Sequence, residues 1–455
     1  MSEYLLKRYG GPAPRYTSYP TAPEWSGDFG PKDYQAVLAS ADEASDEPLS
    51  IYVHVPYCKE RCLYCGCATQ LIESPSDHDV YLDALELEVK AVARRLPNRR
   101  VVSQLHWGGG TPTTLASAGL ERLFAILMGS FSLRDGAEVA IEVNPAVTTA
   151  EQIDTLAGLG FNRISMGVQD FTPEVQAAVG RIQSVALTRE LFDKARSAGF
   201  GGINIDLMYG LPKQNLDTWK ENLRTVINIG PDRLAVFGYA HVPWMRPHQK
   251  LIDENDLPST GTRFELFKVA HDMLVDAGYI YIGMDHFARP EDELARALEE
   301  RRLWRNFQGY GVRQAGALVG FGVTAISDLA GSFAQNKSDL DAYLDEARAG
   351  GITTYRGMAA SDEDRLRRHV ITNLMCNLHL DIGDVEDRFG IDFWSTFSNE
   401  RARFDELVSD GIVEIDDSAI RVTARGRIFV RHVGMLFDTY TKNRAKDGPR
   451  FSRTV

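Results

Sequence analysis

The sequence predicts an α/β protein built around a partial (βα)6 barrel similar to a TIM barrel. Short apolar segments rich in β-branched residues alternate with amphipathic helical segments from residue 50 to about residue 238, a pattern typical of parallel α/β architecture. Six such units are too many for a small sheet and suit a barrel, which we expect to be incomplete. The chain has 455 residues, enough for a barrel with additional segments.

The chain begins with residues 1–48, which we expect to form an arm and not a domain. Arg15–Thr21 is rich in aromatic residues and turn formers and has no periodicity. Two interpretations of this arm remain open. It is either a strap that packs its tyrosines on the body of the protein or a cover over the active site.

The predicted barrel and its C-terminal extension occupy residues 49–350. The predicted strands are 50–55, 102–107, 138–143, 162–167, 202–207 and 233–238. The predicted helices between them are 79–93, 117–127, 151–159, 184–198 and 216–229. On the first helix, the apolar set Tyr81, Leu82, Leu85, Leu87 and Val89 is interspersed with acidic residues. A less regular region from about 260 to 350 begins with a helix at 261–277.

Residues 351–455 form a smaller, mainly helical domain in this prediction. Helical patterns cover 361–378 and 393–410, and a strand, a turn, a strand and a helix follow from residue 411, as in a winged-helix module. The acidic residues there rival the basic ones, so we expect this module to pack within the protein and not to bind DNA.

Composition excludes several classes of function. The net charge is −13, which argues against nucleic acid as the main partner. No apolar run approaches the roughly 18 residues of a membrane span. The first residues lack the apolar core and cleavage site of a signal peptide. With no sign of an oxidising compartment, these features predict a cytoplasmic protein, and we expect a monomer.

Four cysteines lie together at the end of the first predicted strand: Cys58, Cys62, Cys65 and Cys67. A disulfide pair, a structural zinc ion and an iron–sulfur cluster are the three interpretations, and thiolate ligands in this spacing favour the cluster. Three cysteines in a Cys-x3-Cys-x2-Cys pattern can hold three irons of a [4Fe–4S] cube and leave the fourth iron open. We expect Cys67 to lie near the cluster without binding it, since a fourth protein ligand would close that iron.

Polar residues follow the other predicted strands. The second strand ends in His106–Pro112, whose three glycines allow close approach of a ligand to the backbone, and we expect exposed amides there. Later strand ends offer Glu142, Gln169 and Asp206, which are either caps or parts of one polar ring, and we favour the ring. Arg181 is a candidate partner for a carboxylate or, alternatively, a surface arginine.

The remaining chemical candidates have simpler interpretations. We expect His54, His106, His241 and His286 to be hydrogen-bonded structural residues and not ligands. Cys376 is expected to be a buried thiol.

Several motifs together carry a family resemblance. The cysteine spacing, with Tyr64 before the last ligand, resembles the radical S-adenosylmethionine (SAM) superfamily. The chain more specifically resembles the oxygen-independent coproporphyrinogen III oxidases, also called coproporphyrinogen dehydrogenases. The motifs that carry this resemblance are Arg15–Thr21, Cys58–Cys67, His106–Thr113, Ser165–Phe171, Asn204–Gln214, Gly283–Pro290, Arg305–Tyr310, Phe437–Tyr440 and Phe451–Arg453.

The resemblance implies a [4Fe–4S] cluster held by Cys58, Cys62 and Cys65, and two SAM molecules. The first SAM would contact Tyr52, Tyr64, Gly109, Glu142 and Ile326. The second would contact Gly110, Thr111, Gln169, Arg181, Asp206 and Ala240. Phe307 and Gln308 would lie near the reaction centre. Candidate arginines for the propionates of the substrate are Arg15, Arg246, Arg289 and Arg305.

The implied activity is that of an oxidoreductase of haem biosynthesis. It would decarboxylate two propionates of coproporphyrinogen III to vinyl groups, giving protoporphyrinogen IX by way of a 5′-deoxyadenosyl radical. Such chemistry implies a low-potential electron donor, a flavodoxin or a ferredoxin, and a final electron acceptor. The alternative is a haem-binding chaperone from a related radical SAM group.

Overall fold

The structure, a computed structural model, describes residues 3–44, 47–74, 76–312 and 316–442. The C-terminal motif Phe451–Arg453 lies outside the described residues. The chain divides into two compact units. The barrel unit consists of residues 26–277 and 314–359, and the second unit consists of residues 1–25, 278–313 and 360–455. Residues of the expected arm therefore occur in both units, and the division into an arm, a barrel region and a C-terminal domain stays a prediction.

The barrel unit contains the six predicted parallel strands. They are Leu49–Val55, Val101–Gly109, Ser132–Val143, Arg163–Gln169, Gly202–Tyr209 and Arg233–Gly238. We refer to them as the first to sixth barrel strands. Each pairs in parallel with the next along the chain, so their carboxyl ends meet at one rim. The partial barrel is thus confirmed.

Alternation along the strands separates an apolar face from a polar one. Ile51, Val53 and Trp107 are fully buried on one face. Tyr52 and His106, which are paired in register, occupy the opposite face because successive strand residues point in opposite directions. The second face therefore gathers the polar residues of neighbouring strands.

Helices follow the strands. The predicted ones lie close to their expected bounds, but Pro31–Ala44, Pro173–Val179 and Leu340–Ala349 were not predicted. The helices of this unit are Pro31–Ala44, Asp77–Ala93, Ser117–Met128, Ala150–Gly158, Pro173–Val179, Val185–Ser197, Leu216–Ile229, Thr260–Asp276 and Leu340–Ala349. Local signals set their ends. Thr149 and Gln152 form a capping box before Ala150–Gly158. Leu216–Ile229 begins at the cap Asn215 and ends at Gly230, which has a φ of 80° that favours glycine.

Helix Asp77–Ala93 departs from the predicted amphipathic pattern. Leu87, placed in the apolar set, is 43% exposed, whereas Glu88 is 2% exposed. The prediction for Leu87 was therefore wrong. Glu88 is buried because four donors from later parts of the chain surround its carboxyl group: the Gly322 amide, Asn336, Tyr343 and Thr353.

The region from 317 to 359, expected to be irregular, extends the barrel sheet. Ala317–Phe321 pairs in parallel with the first barrel strand, so that Gly320 lies opposite Tyr52. Three antiparallel strands follow: Ile326–Leu329, Ser332–Asn336 and Thr354–Ala359. These strands are only four to six residues long, which is why no clear alternation marks them in the sequence.

The second unit has its own apolar core. Its helices are Glu3–Tyr9, Glu293–Glu299, Asp362–Thr372, Ile382–Phe389, Phe393–Thr396, Ser398–Ser409, Val430–Met435 and Thr439–Lys442. Its strands are Ile280–Gly283, His286–Ala288, Leu303–Asn306, Gly309–Val312, His379–Asp381, Val413–Ile415 and Ala419–Val422. The helix predicted over 361–378 ends at Thr372 and continues as a wider π turn over Asn373–Asn377. The last strands form the small antiparallel sheet expected of a winged-helix module.

The N-terminal segment of this unit packs its tyrosines into that core, as the strap interpretation predicts. Tyr9, Tyr16 and Tyr19 are all buried. Tyr9 donates to Asp410 over 2.7 Å, and Tyr16 donates to Asp438 over 2.9 Å. Among the described residues, no helix has the length and apolar character needed to cross a membrane.

Candidate active site

The cysteine loop, residues 58–67, follows the first barrel strand at the rim where the strands end. Tyr57–Cys58 pairs with Gln70–Leu71, which closes the loop at its base. Inside the loop, Tyr64 packs in a small apolar cluster with Val179, Tyr239 and Ile252. Cys58, Cys62 and Cys65 are half-buried, and Cys67 is exposed. The loop is therefore anchored by its aromatic residue, while its cysteines are not fully buried.

Charged and polar neighbours act on the thiols. The guanidinium of Arg181 donates to Cys62 over 3.6 Å, and Thr111 lies 3.7 Å from Cys58 Sγ. Burial raises the pKa of Cys58 to about 11. The hydrogen bond from the Cys67 thiol lowers the pKa of Cys65 and raises that of Cys67. In this arrangement Cys67 supports Cys65 through a hydrogen bond between their side chains.

The glycines at the end of the second barrel strand are required by close packing. A Cβ at Gly110 would lie 2.5 Å from the carbonyl oxygen of Pro56, and one at Gly109 would lie 2.7 Å from the His54 ring. Gly109 also has a φ of 114°, which favours glycine. This stretch thus fits closely against the start of the cysteine loop.

The expectation of exposed amides in this stretch was wrong. Gly109 N–H donates to Glu142, Gly110 N–H donates to the Val55 carbonyl, and Thr111 N–H donates to the Tyr57 carbonyl. These three amides already donate hydrogen bonds within the protein, and these bonds hold the glycine turn in place. A ligand ammonium group would in any case need acceptors, such as the Glu142 carboxylate.

Three strand ends form one polar group around Glu142. Tyr52 stacks on His106 with ring centroids 5.9 Å apart and lies 3.1 Å from His54 through its hydroxyl. His106 Nε2 lies 3.1 Å from Glu142 Oε1. Burial raises the pKa of Glu142, but the hydrogen bond and charge of His106 and the Gly109 amide outweigh it, so the pKa is lowered. The structure thus holds a carboxylate beside the glycine turn.

A second polar group follows on the fourth and fifth barrel strands. Asp206 accepts hydrogen bonds from Ser165 and Asn204 over 3.1 Å and 2.7 Å. Burial, followed by the charge of Glu142, raises the pKa of Asp206 to about 7. Arg181 donates to the Gly167 carbonyl in addition to Cys62. Arg181 is therefore not a surface arginine but a link between the fourth strand and the cysteine loop.

Gln169 and Arg181 each have a buried polar atom that is available to a ligand. In the part of the chain that the structure describes, Gln169 Oε1 and Arg181 Nε are buried and have no hydrogen-bond partner. Buried polar atoms are almost always paired, so such atoms point to a missing partner. Both side chains crowd Gly167, where a Cβ would lie 3.1 Å from Gln169 Nε2 and 3.2 Å from Arg181.

Two further predicted contacts lie beside this group. The Ile326 carbonyl is so close to Gly320 that a Cβ there would approach it to 2.5 Å, and Gly320 is paired with Tyr52. Ala240 follows the sixth barrel strand, and its carbonyl accepts a hydrogen bond from Gln249 over 3.3 Å. The predicted cofactor residues are thus grouped at one rim of the barrel unit.

Phe307 and Gln308 belong to the second unit. Phe307 packs edge-on against Trp25 with ring centroids 5.8 Å apart. Gln308 Oε1 accepts from Asn306 over 2.6 Å in the turn between two paired strands. The turn is therefore held in place by contacts within its own unit.

Each of the four candidate arginines already contacts another group of the protein. Arg15 pairs with Asp285, and Arg305 is buried with its guanidinium 4.7 Å from the centroid of the Tyr310 ring. Arg289 lies over the ring of Tyr279, and Arg246 donates to the Gly66 carbonyl over 2.9 Å.

Among the other candidate residues, His54 and His241 make hydrogen bonds and Cys376 is buried, as expected. His54 Nε2 lies 2.9 Å from the Ala68 carbonyl oxygen, and His241 contacts Tyr239 and Glu254. His286 is buried and packs edge-on against Tyr310. Cys376 is buried, which raises the pKa of its thiol to about 12.

Sequence reasoning missed the loop that backs the cysteines. His248 lies 2.8 Å from the Cys65 carbonyl oxygen, and Gln249 donates to the Tyr64 carbonyl over 3.1 Å. Both residues lie in the short helix Pro247–Leu251, where no periodic pattern could mark them. The only local signal was Pro247. It predicts the start of a helix, but it does not predict that His248 and Gln249 contact the cysteine loop.

The donor set suits an iron–sulfur cluster. Across the described residues, no three His, Cys, Asp or Glu side chains are grouped as ligands of a single metal ion. A [4Fe–4S] cluster makes a different demand, because each thiolate binds its own iron. Three cysteines of one anchored loop, with Arg181 donating to one of them, meet that demand.

Comparisons with known proteins agree with this geometry. A family model described as "Radical SAM superfamily" matches residues 52–226, and one described as "HemN C-terminal domain" matches residues 360–429. The oxygen-independent coproporphyrinogen III oxidase of Escherichia coli K12 is 43% identical over 99% of this chain and 98% of its own length. That of Synechocystis is 40% identical over 100% of this chain and 98% of its own length.

A solved structure is similar over nearly the whole chain. It is described as coproporphyrinogen III oxidase (HemN) from Escherichia coli, a radical SAM enzyme, and it is 41% identical with a TM-score of 0.91. It covers 96% of this chain and 99% of its own.

The barrel and its cysteine loop define a radical SAM enzyme, which uses a [4Fe–4S] cluster and SAM. Within that class, the chain belongs to the family of oxygen-independent coproporphyrinogen III oxidases. The similarity supports an oxidoreductase and not the chaperone alternative.

Proposed function

We propose that this protein decarboxylates two propionate side chains of coproporphyrinogen III to vinyl groups, giving protoporphyrinogen IX in haem biosynthesis. One observation carries the proposal. An anchored loop with three cysteines lies at the barrel rim, beside Glu142 and next to Arg181. Coproporphyrinogen III oxidases at about 40% identity span the whole chain, which supports the choice of substrate.

Side chains alone cannot remove hydrogen from an unactivated propionate carbon, so the reaction depends on its cofactors. When bound, the cluster and SAM supply a 5′-deoxyadenosyl radical. In our proposal Cys58, Cys62 and Cys65 hold the cluster. Arg181 stabilises the thiolate of Cys62 with a charge-assisted hydrogen bond.

The first SAM is assigned to Tyr52, Tyr64, Gly109, Glu142 and Ile326. The Glu142 carboxylate, kept ionised by His106, is suited to accept from an ammonium or ribose hydroxyl group. Gly109 leaves room at the turn, since any side chain there would meet the His54 ring. Orientation of the reactive sulfonium and exclusion of water are the contributions of this pocket.

The second SAM is assigned to Gly110, Thr111, Gln169, Arg181, Asp206 and Ala240. Its support is the pair of unpartnered buried atoms, Gln169 Oε1 and Arg181 Nε, together with Asp206. A carboxylate ligand would complete the guanidinium, and a hydroxyl or ammonium group would complete the amide oxygen.

Phe307 and Gln308 are proposed to lie near the reacting substrate carbon. Their turn is held by Trp25 and Asn306, so both side chains can take part without local ordering at the time of binding. Of the four candidate arginines, Arg305 is buried and the other three are partly exposed. Arg15, whose side chain is 34% exposed, can bind a propionate while it stays close to Asp285.

The remaining expectations concern partners and location. We propose a flavodoxin or a ferredoxin as electron donor, a separate final electron acceptor, a monomeric state and a cytoplasmic location. The requirement for low-potential electrons follows from the cofactors. The net charge of −13 supports the expectation that no nucleic acid is bound.

The test is anaerobic turnover with reconstituted cluster, SAM, dithionite and coproporphyrinogen III. We expect two CO2 and two vinyl groups per substrate molecule. Release of 5′-deoxyadenosine without CO2 would reject the proposed function. Cys62→Ser protein, carried through the same reconstitution, is the matched control for non-enzymatic decarboxylation.

A further inference from the structure

Large apolar side chains are unusually exposed around the cysteine loop. Four such residues are more than 60% exposed among those the structure describes: Ile182 at 67%, Trp244 at 65%, Met245 at 61% and Leu251 at 73%. Each belongs to a segment that contacts the cysteine loop. Exposed apolar groups concentrated in one region mark an interaction surface, whereas single ones scattered over a protein do not.

The contacts of three neighbouring residues place these side chains. Residues 242–251 are tied to the cysteine loop, because Arg246 donates to the Gly66 carbonyl and His248 and Gln249 contact the next two carbonyls, at Cys65 and Tyr64. Trp244 and Met245 therefore lie beside the loop. Leu251 precedes Ile252, which packs with Tyr64 in the apolar cluster under the loop.

In the other segment, Ile182 follows Arg181 directly. The Arg181 guanidinium donates to Cys62, and the amide of Leu63 donates to the Val179 carbonyl. The exposed apolar residues thus lie in two segments that both contact the cysteine loop. We name the surface made by residues 58–67, Ile182 and residues 242–251 the cysteine face.

The charge of the cysteine face is opposite to that of the whole chain. Its two segments contain four basic residues, Lys59, Arg61, Arg246 and Lys250, and one acidic residue, Glu60, a balance of +3. The chain as a whole carries −13. The next acids along the chain after residue 251 are Asp253, which caps the following turn, and Glu254, which contacts His241. A local basic face on an acidic protein selects an acidic partner.

We infer that the cysteine face is the docking surface for an acidic one-electron carrier protein. The inference rests on the proposed function, which requires electrons at the cluster. The carrier, in its reduced form, gives up one electron and is oxidised, and the cluster held by Cys58, Cys62 and Cys65 is reduced by that electron. A carrier docked on this face is next to those cysteines, so no other part of the chain has to relay the electron.

The apolar and charged residues have different tasks in this complex. Trp244 is the anchor, since exposed tryptophans that become buried contribute most to binding at interfaces. Lys250 and its neighbours steer the carrier and raise the association rate, which makes the association sensitive to salt.

The test compares Trp244→Ser and Lys250→Glu with the wild-type holoprotein, using a reduced acidic flavodoxin as the probe. Binding is measured by calorimetry, and reduction of the cluster is followed by stopped-flow absorbance. We expect Trp244→Ser to weaken flavodoxin binding about 30-fold. Lys250→Glu should lower the association rate several-fold at low salt, and the difference should shrink at high salt. Reduction by dithionite, which needs no docking surface, should be unchanged in both variants.

Val101→Ser and Lys32→Glu are the matched controls. Val101 is 46% exposed but begins the second barrel strand, at the rim opposite to the cysteines, and Lys32 is exposed on helix Pro31–Ala44. Both controls should bind flavodoxin as the wild type does. Equal binding by Trp244→Ser, or a loss of dithionite reduction equal to the loss with flavodoxin, would overturn the inference.

Failure of the proposed decarboxylation would give a different result from failure of the docking surface. In that case the wild-type protein would form no vinyl product with either donor, while flavodoxin binding and cluster reduction would still respond to Trp244→Ser. Normal turnover with unaltered flavodoxin binding in both face variants would reject the docking surface alone.

Discussion

Glu88 is predicted to make the barrel unit less stable as the pH rises. Its carboxyl group is buried and accepts hydrogen bonds from the Gly322 amide, Asn336, Tyr343 and Thr353 over 2.6–3.0 Å. Burial nevertheless outweighs these four donors and raises the pKa of Glu88 from 4.5 to about 7. The pocket therefore favours the neutral acid below neutral pH, because burial disfavours the charged carboxylate.

The sign and size of the effect follow from this shift. Between pH 4.5 and pH 7 the folded protein keeps the Glu88 proton that the unfolded chain loses, so stability falls as the pH rises through this window. A pKa moved from 4.5 to about 7 corresponds to about 3 kcal/mol, at about 1.4 kcal/mol per pH unit. The stabilisation is fully present below pH 4.5 and is lost above pH 7.

The assay is urea unfolding of the wild type and of Glu88→Gln at several pH values from 4.5 to 8. Gln cannot ionise, so the difference in the free energy of unfolding between the two proteins should change by about 3 kcal/mol over this range. At low pH the variant should be about 1–3 kcal/mol less stable, because its amide leaves one donor of the pocket without an acceptor. At high pH, the difference in the free energy of unfolding between the two proteins depends on which costs more, the ionisation of buried Glu88 or the unpaired donor in Glu88→Gln.

The control is Glu86→Gln, a change on the same helix at a side chain that is 36% exposed and pairs with Lys90. Its effect should stay below about 1 kcal/mol at every pH. Parallel pH profiles for Glu88→Gln and the wild type would show that Glu88 titrates normally, and the argument from burial would then be wrong.

Three further predictions concern the cysteine loop and its surroundings. Cys62→Ser should abolish the [4Fe–4S] absorbance after reconstitution, whereas Cys67→Ser should keep it, and loss in both would make Cys67 a ligand. Arg181→Lys should reduce the number of tightly bound SAM molecules from two to one, since losing a charge-assisted hydrogen bond costs about 1.5–3 kcal/mol. Equilibrium dialysis that still finds two would remove Arg181 from the second site. Gly110→Ala should destabilise the loop and impair cluster assembly, because its Cβ would lie 2.5 Å from the Pro56 carbonyl oxygen. Normal iron content in this variant would contradict the close approach.

The regular part of the fold could be predicted because its patterns are local. All six barrel strands and the longer helices between them follow from alternation and helical periodicity, which each segment carries by itself, whereas the short helix Pro173–Val179 was missed. The strands between 317 and 359 were missed, because their burial comes from pairing with distant segments such as Leu49–Val55. Local periodicity also misplaced Leu87 and Glu88, since the donors around Glu88 are more than 200 residues away.

The candidate site shows the same division. Motifs indicated Glu142, Asp206 and the cysteines, because polar residues at the ends of parallel strands converge at one rim. The amides at the end of the second strand were expected to be free, but they donate hydrogen bonds to other parts of the chain. The His248 and Gln249 contacts had no signal in the sequence, because a contact to a carbonyl oxygen leaves no trace in the identity of the residue that provides it.

The sequence by itself determined the barrel, the cysteine spacing and the family to which the chain belongs. Each of these depends on residue type and on distances along the chain. The tertiary structure decided how the thiols are surrounded, where Arg181 points and which apolar side chains remain outside. These properties depend on residues such as Cys62 and Arg181, which lie 119 positions apart and meet only when the strands align their carboxyl ends.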